Sequence, residues 1–406
     1  MKKLNVKNQR KFNQWTVALA AIGVVSLASA ARADEKMSMV QTALSNTTIS
    51  GYVDTSATWR PGTDQNGASV GVANLPKYLV AHNDGFSLDQ VDIAIDHPED
   101  ESPWAAGYHI EFFQGADQAG MFGAAASPFR QAYVVVRTPV GNGIDWKVGM
   151  WDNIIGYEST SIPLNPNYTH SYAWGMEPTA HTGLQANYKV NDEISVIAAI
   201  ADSSNVGKAS PSPLNGTSIY ESQKSYLGLV TLTAPDSFGW MKGATLTFGA
   251  ENSVDSNVAP GTGSKTSWYA GVTVPTPLTA LTFGGSYDYL DLHGGGGEFW
   301  AINLYSTYHL TDKASFNLRG EYFQDDTGVL YGGGATTGTG TIIDPNRNAA
   351  EELTATFQYN MWANVISRVE FRWDHVEHGN AFGANSAGAA FRDNDFMLAL
   401  NLIYQF

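Results

Sequence analysis

The stretch Val365-Ile366-Ser367-Arg368-Val369-Glu370-Phe371-Arg372-Trp373-Asp374 decides the fold class. In an extended chain successive side chains point to opposite faces. Val365, Val369, Phe371 and Trp373 therefore share one face, and Arg368, Glu370, Arg372 and Asp374 share the other. A soluble sandwich packs its apolar face on a core and leaves a polar face in bulk water. Here the polar face carries four charges of both signs, and the opposite face is broad and aromatic. That pattern fits a strand with lipid on one side and a wet lumen on the other.

Working outward, the same two-residue period recurs. At the C-terminus Phe396, Leu398, Leu400, Leu402, Tyr404 and Phe406 alternate with Met397, Ala399, Asn401, Ile403 and Gln405. In 298–310, Trp300, Ile302, Leu304 and Tyr308 oppose Asn303, Tyr305, Thr307 and His309; in 313–323, Phe316, Leu318 and Tyr322 oppose Asn317, Arg319 and Glu321. After residue 34 no apolar run approaches the ~20 residues of a membrane-spanning helix.

The chain reads as sixteen strands, at 47–59, 87–97, 105–114, 129–137, 144–151, 181–189, 193–201, 225–233, 242–252, 265–274, 281–290, 298–310, 313–323, 349–359, 364–374 and 391–406. Short connections (138–143, 190–192, 275–278, 311–312, 360–363) alternate with long ones (60–86, 115–128, 152–180, 202–224, 253–264, 324–348, 375–390). Outer-membrane barrels have short periplasmic turns and longer exterior loops. The expected fold is an all-β, transmembrane, antiparallel up-and-down barrel over 47–406. Trp59, Trp151, Trp268, Trp300 and Trp373 fall near exterior strand ends, and Trp104, Trp146, Trp240 and Trp362 near the turns. Two such levels match interfacial aromatic girdles.

Ahead of the strands, a basic stretch from Lys2 to Lys11, an apolar one from Trp15 to about Ala28, and Ala31-Arg32-Ala33 reproduce the order of a secretory signal peptide. Residues 1–33 are read as that signal and 34–46 as a short periplasmic segment. The 406 residues include no Cys, which excludes disulfide scaffolds and thiolate chemistry. The formal net charge is −16, and all six bases before residue 34 lie in the signal, leaving 17 bases against 39 acids in the remainder. Binding to nucleic acid rests on cation–phosphate contacts, so that class of partner is excluded.

Residues 86–200 carry a run of motifs: Phe86-Ser87-Leu88-Asp89-Gln90-Val91-Asp92, Gly115-Ala116-Asp117, Gln131-Ala132-Tyr133, Pro139-Val140-Gly141-Asn142-Gly143, Lys147-Val148-Gly149 and Gly156-Tyr157-Glu158. His170-Ser171-Tyr172, Glu177-Pro178, His181-Thr182-Gly183 and Tyr188 follow. This order resembles the OmpL-like putative β-barrel porin-2 family of Gram-negative outer membranes. The resemblance implies a bacterial outer-membrane location and a pore role. The C-terminal strand ending on Phe406 resembles the closing strand that the barrel-assembly machinery recognises.

Sixteen strands enclose a lumen wide enough for water. Alternation points eight acids inward: Asp54, Asp92, Glu111, Glu251, Asp288, Glu321, Glu352 and Glu370. It points four bases inward: Lys147, Arg319, Arg368 and Arg372. A carboxylate-rich lining favours cations; alternatively, the Arg rows neutralise it in an internal ladder. Connection 152–180 is the third exterior loop, the one that narrows the barrel in general porins, and is expected to form the constriction through Asp152, Tyr157, Glu158, His170 and Glu177. The expected function is passive diffusion of small hydrophilic solutes or ions through an acidic lumen, with a cation preference. An adhesive or structural barrel and a barrel hydrolase are the alternatives. The expected partners are outer-membrane lipid and the permeating solutes, with a homo-oligomer left open.

No catalytic, cofactor or metal residue is nominated. Gly261-Thr262-Gly263-Ser264-Lys265-Thr266 lacks phosphate-loop spacing and leads into a strand. Asp374, His375, Glu377 and His378 read as solvated exterior polarity, and Gly294–Gly297 and Gly332–Gly334 as loop tips. His109 with Glu111, His181 and His309 lie on expected strands without a nucleophile context.

Overall fold

A computed structural model describes residues 40–41, 46–61, 84–118, 128–202, 224–254, 264–293, 297–325, 348–377, 382 and 392–406. The signal segment, the Gly332–Gly334 tip, His378, Gly261–Gly263 and most of each of the longest loops other than 153–179 lie outside these residues.

The strands are β1 (Thr48–Trp59), β2 (Gly85–His97), β3 (Ala106–Gln114), β4 (Phe129–Thr138), β5 (Ile144–Asp152), β6 (Ala180–Lys189), β7 (Ile194–Asp202) and β8 (Lys224–Thr233). They continue as β9 (Thr245–Val254), β10 (Ser264–Pro275), β11 (Leu281–Leu292), β12 (Gly297–His309), β13 (Ala314–Asp325), β14 (Asn348–Trp362), β15 (Val365–Val376) and β16 (Asn394–Gln405). Each pairs antiparallel with its sequence neighbours, and β16 returns to β1, from Leu398 opposite Trp59 to Gln405 opposite Tyr52. Two backbone bonds between Gly51 and Phe406, 3.1 and 3.0 Å, finish the seam. The result is a closed sixteen-stranded barrel with no free edge. All sixteen expected strands are present, none displaced at either end by more than three residues. A two-residue extension, Val40–Gln41, pairs beside the start of β1.

The alternation is realised as an inside and an outside. Leu304 is 67% exposed while its neighbour Asn303 is fully buried. On β16, Leu398, Leu400 and Leu402 are exposed and Met397, Ala399 and Ile403 are buried. The exposed row is the lipid band and the buried row faces the lumen. Trp59 and Trp268 stand exposed at one end of the barrel, with Trp104, Trp240 and Trp362 at the other. Trp151 departs from the expected girdle: it is 1% exposed and packs inside against Ile154, Ile155 and Tyr157. Asp152 likewise is the last residue of β5, not part of the loop.

Register shifts in three strand pairs break the alternation, one at Asn360/Trp362 and two at charged residues. Asp54 pairs with Gln90 and Thr55 with Leu88, leaving Asp89 extra in β2; Glu111 pairs with Gln131 and Phe112 with Phe129, leaving Arg130 extra in β4. A bulge re-aims the inserted side chain. Both Asp89 and Arg130 are consequently buried on the lumen side beside Gln90 and Glu111.

Candidate pore and its constriction loop

The connection between β5 and β6, residues 153–179, folds into the lumen. Its apolar content requires this: Ile155, Tyr157, Ile162, Tyr168, Tyr172, Trp174 and Met176 are all buried, and each would otherwise expose a large apolar surface to water. The chain runs through a 3₁₀ turn at Ile162–Leu164 and a single helical turn, α1 (Tyr172–Met176), capped by Ser171 Oγ accepting from Trp174 N. Several apolar patches on the inner wall receive it. Ile155 and Tyr157 pack with Ile197, Leu229 and Tyr305. Ile162 and Trp174 meet Tyr52, Phe113 and Ile403. Tyr172 and Met176 meet Leu290, Phe299 and Phe323. The loop thus reaches walls on several sides of the barrel.

The charged rows of β13–β15 hold the loop's backbone. Glu370 accepts from Tyr168 N (2.5 Å), Thr169 N (2.9 Å) and Thr169 Oγ1 (2.6 Å). Glu321 accepts from Tyr172 N (2.6 Å) and Ala173 N (2.7 Å), the opening amides of α1. Arg368 donates to the carbonyls of Ile162 (3.2 Å) and Asn165 (2.6 Å). Arg372 donates to the His170 carbonyl (2.5 Å) and pairs with Asp374 (2.8 Å). Arg319 pairs with Glu352 (2.8 Å) and Glu158 (2.9 Å) and donates to the Thr169 carbonyl (2.5 Å). Buried charges are tolerable when each is paired or hydrogen-bonded, and here the loop and neighbouring wall residues share that role.

Within the loop, Glu158 lies 2.7 Å from His170 Nδ1, and His170 stacks on Trp174 at 3.8 Å between ring centres. Burial pushes the Glu158 carboxyl up, but the Arg319 and His170 charges outweigh it and bring it down to about 2. Glu177 is buried against Gly156, whose φ is +120° and where a Cβ would fall 2.1 Å from Glu177 Oε2. Tyr157 stacks on Tyr305 at 4.3 Å. Asp152 sits apart from these groups, paired with Arg130.

The remaining expected lining residues are spread around the wall. Asp54 is buried and bonded by Asn401; Asp92 is 3.6 Å from Arg130, and Glu111 is 2.8 Å from the same Arg. Glu251 lies 3.6 Å from His181, Asp288 is buried, and Lys147 stands 4.5 Å over the Tyr133 ring. The expectation omitted Arg130, Asp89, Gln90 and Asp117. Asp117 accepts from Gln90 Nε2 at 3.0 Å; burial, then Asp89 and Asp54, push its carboxyl well above the usual range. Among the described residues no group of three His, Asp or Glu is placed to hold a metal ion. Between the loop and the turn end of the barrel, cavities remain among the described residues. One, of about 510 Å³, lies against β1–β7; another, of about 240 Å³, lies against β9–β14.

A closed barrel of sixteen antiparallel strands, apolar outside, polar inside and narrowed by an inward third loop, defines the porin class of outer-membrane protein. A family model described as "Putative beta-barrel porin-2, OmpL-like" matches residues 46–406, and the chain belongs to that family. A search of curated proteins finds no match. Among solved structures the chain is similar to Salmonella typhi OmpF in complex with daunomycin, at 13% identity and a TM-score of 0.58, covering 91% of this chain and 100% of that one. It is also similar to the trimer form of Vibrio cholerae OmpT (14%, TM-score 0.55, 89% and 99%). The anion-selective porin of Comamonas acidovorans is a further match (10%, TM-score 0.55, 89% and 99%).

Proposed function

We propose that this protein is a non-enzymatic outer-membrane porin through which small hydrophilic solutes and ions diffuse passively, past a constriction built by residues 153–179. The observation that carries this reading is the loop's seating: wall charges on β13–β15 bind its backbone, while cavities persist beside it. Pore radius and the polarity of its lining set what passes.

A cation preference is part of the proposal. A similar barrel serves an anion-selective porin, so any preference has to come from this chain's own side chains. Asp89 is inward and pairs with no described Arg, Lys or His, whereas Glu158 is neutralised by Arg319. The wall, more than the loop, then supplies the negative field. Recognition of the strand ending at Phe406 by the assembly machinery and self-association in the membrane belong to the same reading; a similar porin occurs as a trimer.

The test is single-channel conductance of refolded protein in a planar bilayer under a salt gradient. Discrete steps with a reversal potential of cation sign are expected, with Asp89→Asn reducing that potential. Folded protein without steps would overturn the porin reading. Steps without selectivity would remove only the cation preference.

A further inference from the structure

Two chambers beside the loop contrast in chemistry. The larger is lined by Asp96, Glu99, Glu111, Asp152, Arg130 and Lys147 among others. The smaller lies under Tyr157 and the Pro163–Pro166 segment, and no carboxylate lines it. Its ionisable side chains, tyrosines aside, are His309 and Lys242, and Lys242 is exposed and paired with Asp236 at 2.9 Å. Hydroxyl and amide groups line part of the rest, Thr247, Thr273, Thr307, Ser315 and Asn317 among them, beside the apolar Pro163, Leu164 and Pro166.

Three tyrosines close the inner end. Tyr157 and Tyr305 stack at 4.3 Å, and Tyr269 lies over its own strand at Gly271. A Cβ at Gly271 would fall 2.0 Å from the Tyr269 hydroxyl, and one at Gly284 would fall 1.6 Å from the Tyr157 hydroxyl. The wall is glycine where these rings need to lie flat against it. No described residue hydrogen-bonds the Tyr269 hydroxyl.

A cation entering this chamber would shed water without meeting a carboxylate among the described residues, and an anion would meet only His309 and the already paired Lys242, so the lining repays little of the cost of dehydration. A neutral solute rich in hydroxyls would exchange its water bonds for those of the wall and lay its C–H face on tyrosine. The cavity of about 240 Å³ has room for one sugar ring.

We propose that this chamber is a binding subsite for a neutral polyhydroxylated solute of monosaccharide size, a sugar or sugar alcohol; as a stage in permeation it rests on the porin reading above. The experiment measures binding of D-glucose and sorbitol to the refolded full chain in detergent by saturation-transfer NMR and calorimetry, with L-arginine and L-glutamate as charged comparators. The same preparation is assayed for ion conductance. Glucose and sorbitol are expected to bind and the charged solutes not to. Thr247→Val with Thr307→Val, each exchanging a hydroxyl for a methyl, should weaken binding about tenfold, as expected for two lost hydrogen bonds. Tyr269→Phe, checked for folding by heat-modifiable migration, should weaken it independently. Failure of glucose and sorbitol to bind folded wild type, equal binding of the charged solutes, or unaltered binding by the folded variants would overturn the subsite. Binding without conductance would remove the porin reading and keep the site; conductance without binding would remove the site alone.

Discussion

Glu158 shows how a residue nominated as a field source becomes a strut. Its carboxylate is shared between Arg319 at 2.9 Å and His170 at 2.7 Å, so little of its charge is left to act on a passing ion. Its acid is held at about 2 against an ordinary 4.5. A lowered folded value means the stabilisation is fully present above 4.5 and is lost as pH falls toward 2. Seating of the loop should therefore weaken across that window, read as growing cleavage within 153–179 by an acid-active protease. Glu158→Gln should remove that pH dependence and, by leaving the buried Arg319 with one partner fewer, cost up to about 3–5 kcal/mol of local stability. Gly156→Ala is expected to unseat the loop as well. It would place a side chain at φ +120° and on the Glu177 carboxylate, with backbone strain alone worth about 1–3 kcal/mol; larger and noisier single-channel currents would report it.

At the scale of elements, the strands and the loop obey different rules. A strand's face follows from the period of two, so Phe371 and Arg372 were assignable to opposite sides from the sequence alone. The bulges at Asp89 and Arg130 escape that reading, since strict alternation puts both residues toward lipid. The signal was nonetheless present. An Arg facing the bilayer midplane costs about 2–4 kcal/mol, so a charge at a lipid-facing position argues for an extra residue in the strand. The loop's inward course was expected from its place as the third exterior loop, but its attachments were not legible. Nothing near Glu370 in sequence says that it accepts from Tyr168 and Thr169, some two hundred residues away. Because those bonds belong to the loop and the ladder belongs to the strands, excising residues 160–170 should leave a folded, heat-modifiable barrel with severalfold higher conductance. A failure to fold would instead make the loop part of the barrel's structural core.

For the whole molecule, closure is the governing constraint. A barrel in lipid has no water to satisfy a strand edge, and the β16–β1 seam is the last edge to be removed. Phe406 closes it with two backbone bonds to Gly51, and its ring lies where a Cβ on residue 51 would fall 2.9 Å from Cζ. Deleting Phe406 should lower the yield of heat-modifiable barrel in outer-membrane fractions, while the exposed Phe396–Tyr404 row stays unaltered. Chemical cross-linking of the protein in native membranes should give a discrete oligomer if the barrel self-associates as the similar OmpT does; monomer only would set that part of the proposal aside.

By itself the sequence determined where the strands lie, the inside and outside of each strand away from its bulges, and the end at which long connections lie. All of these follow from local pattern, because lipid and water sort side chains one residue at a time. Only the tertiary structure decided which inward charges meet. Closing the sheet brings β13–β15 across from residues 153–179, and that encounter turns an expected acidic lining into the anchorage of a loop. Pairings between groups so far apart in the chain depend on barrel circumference and strand register, which no local pattern records.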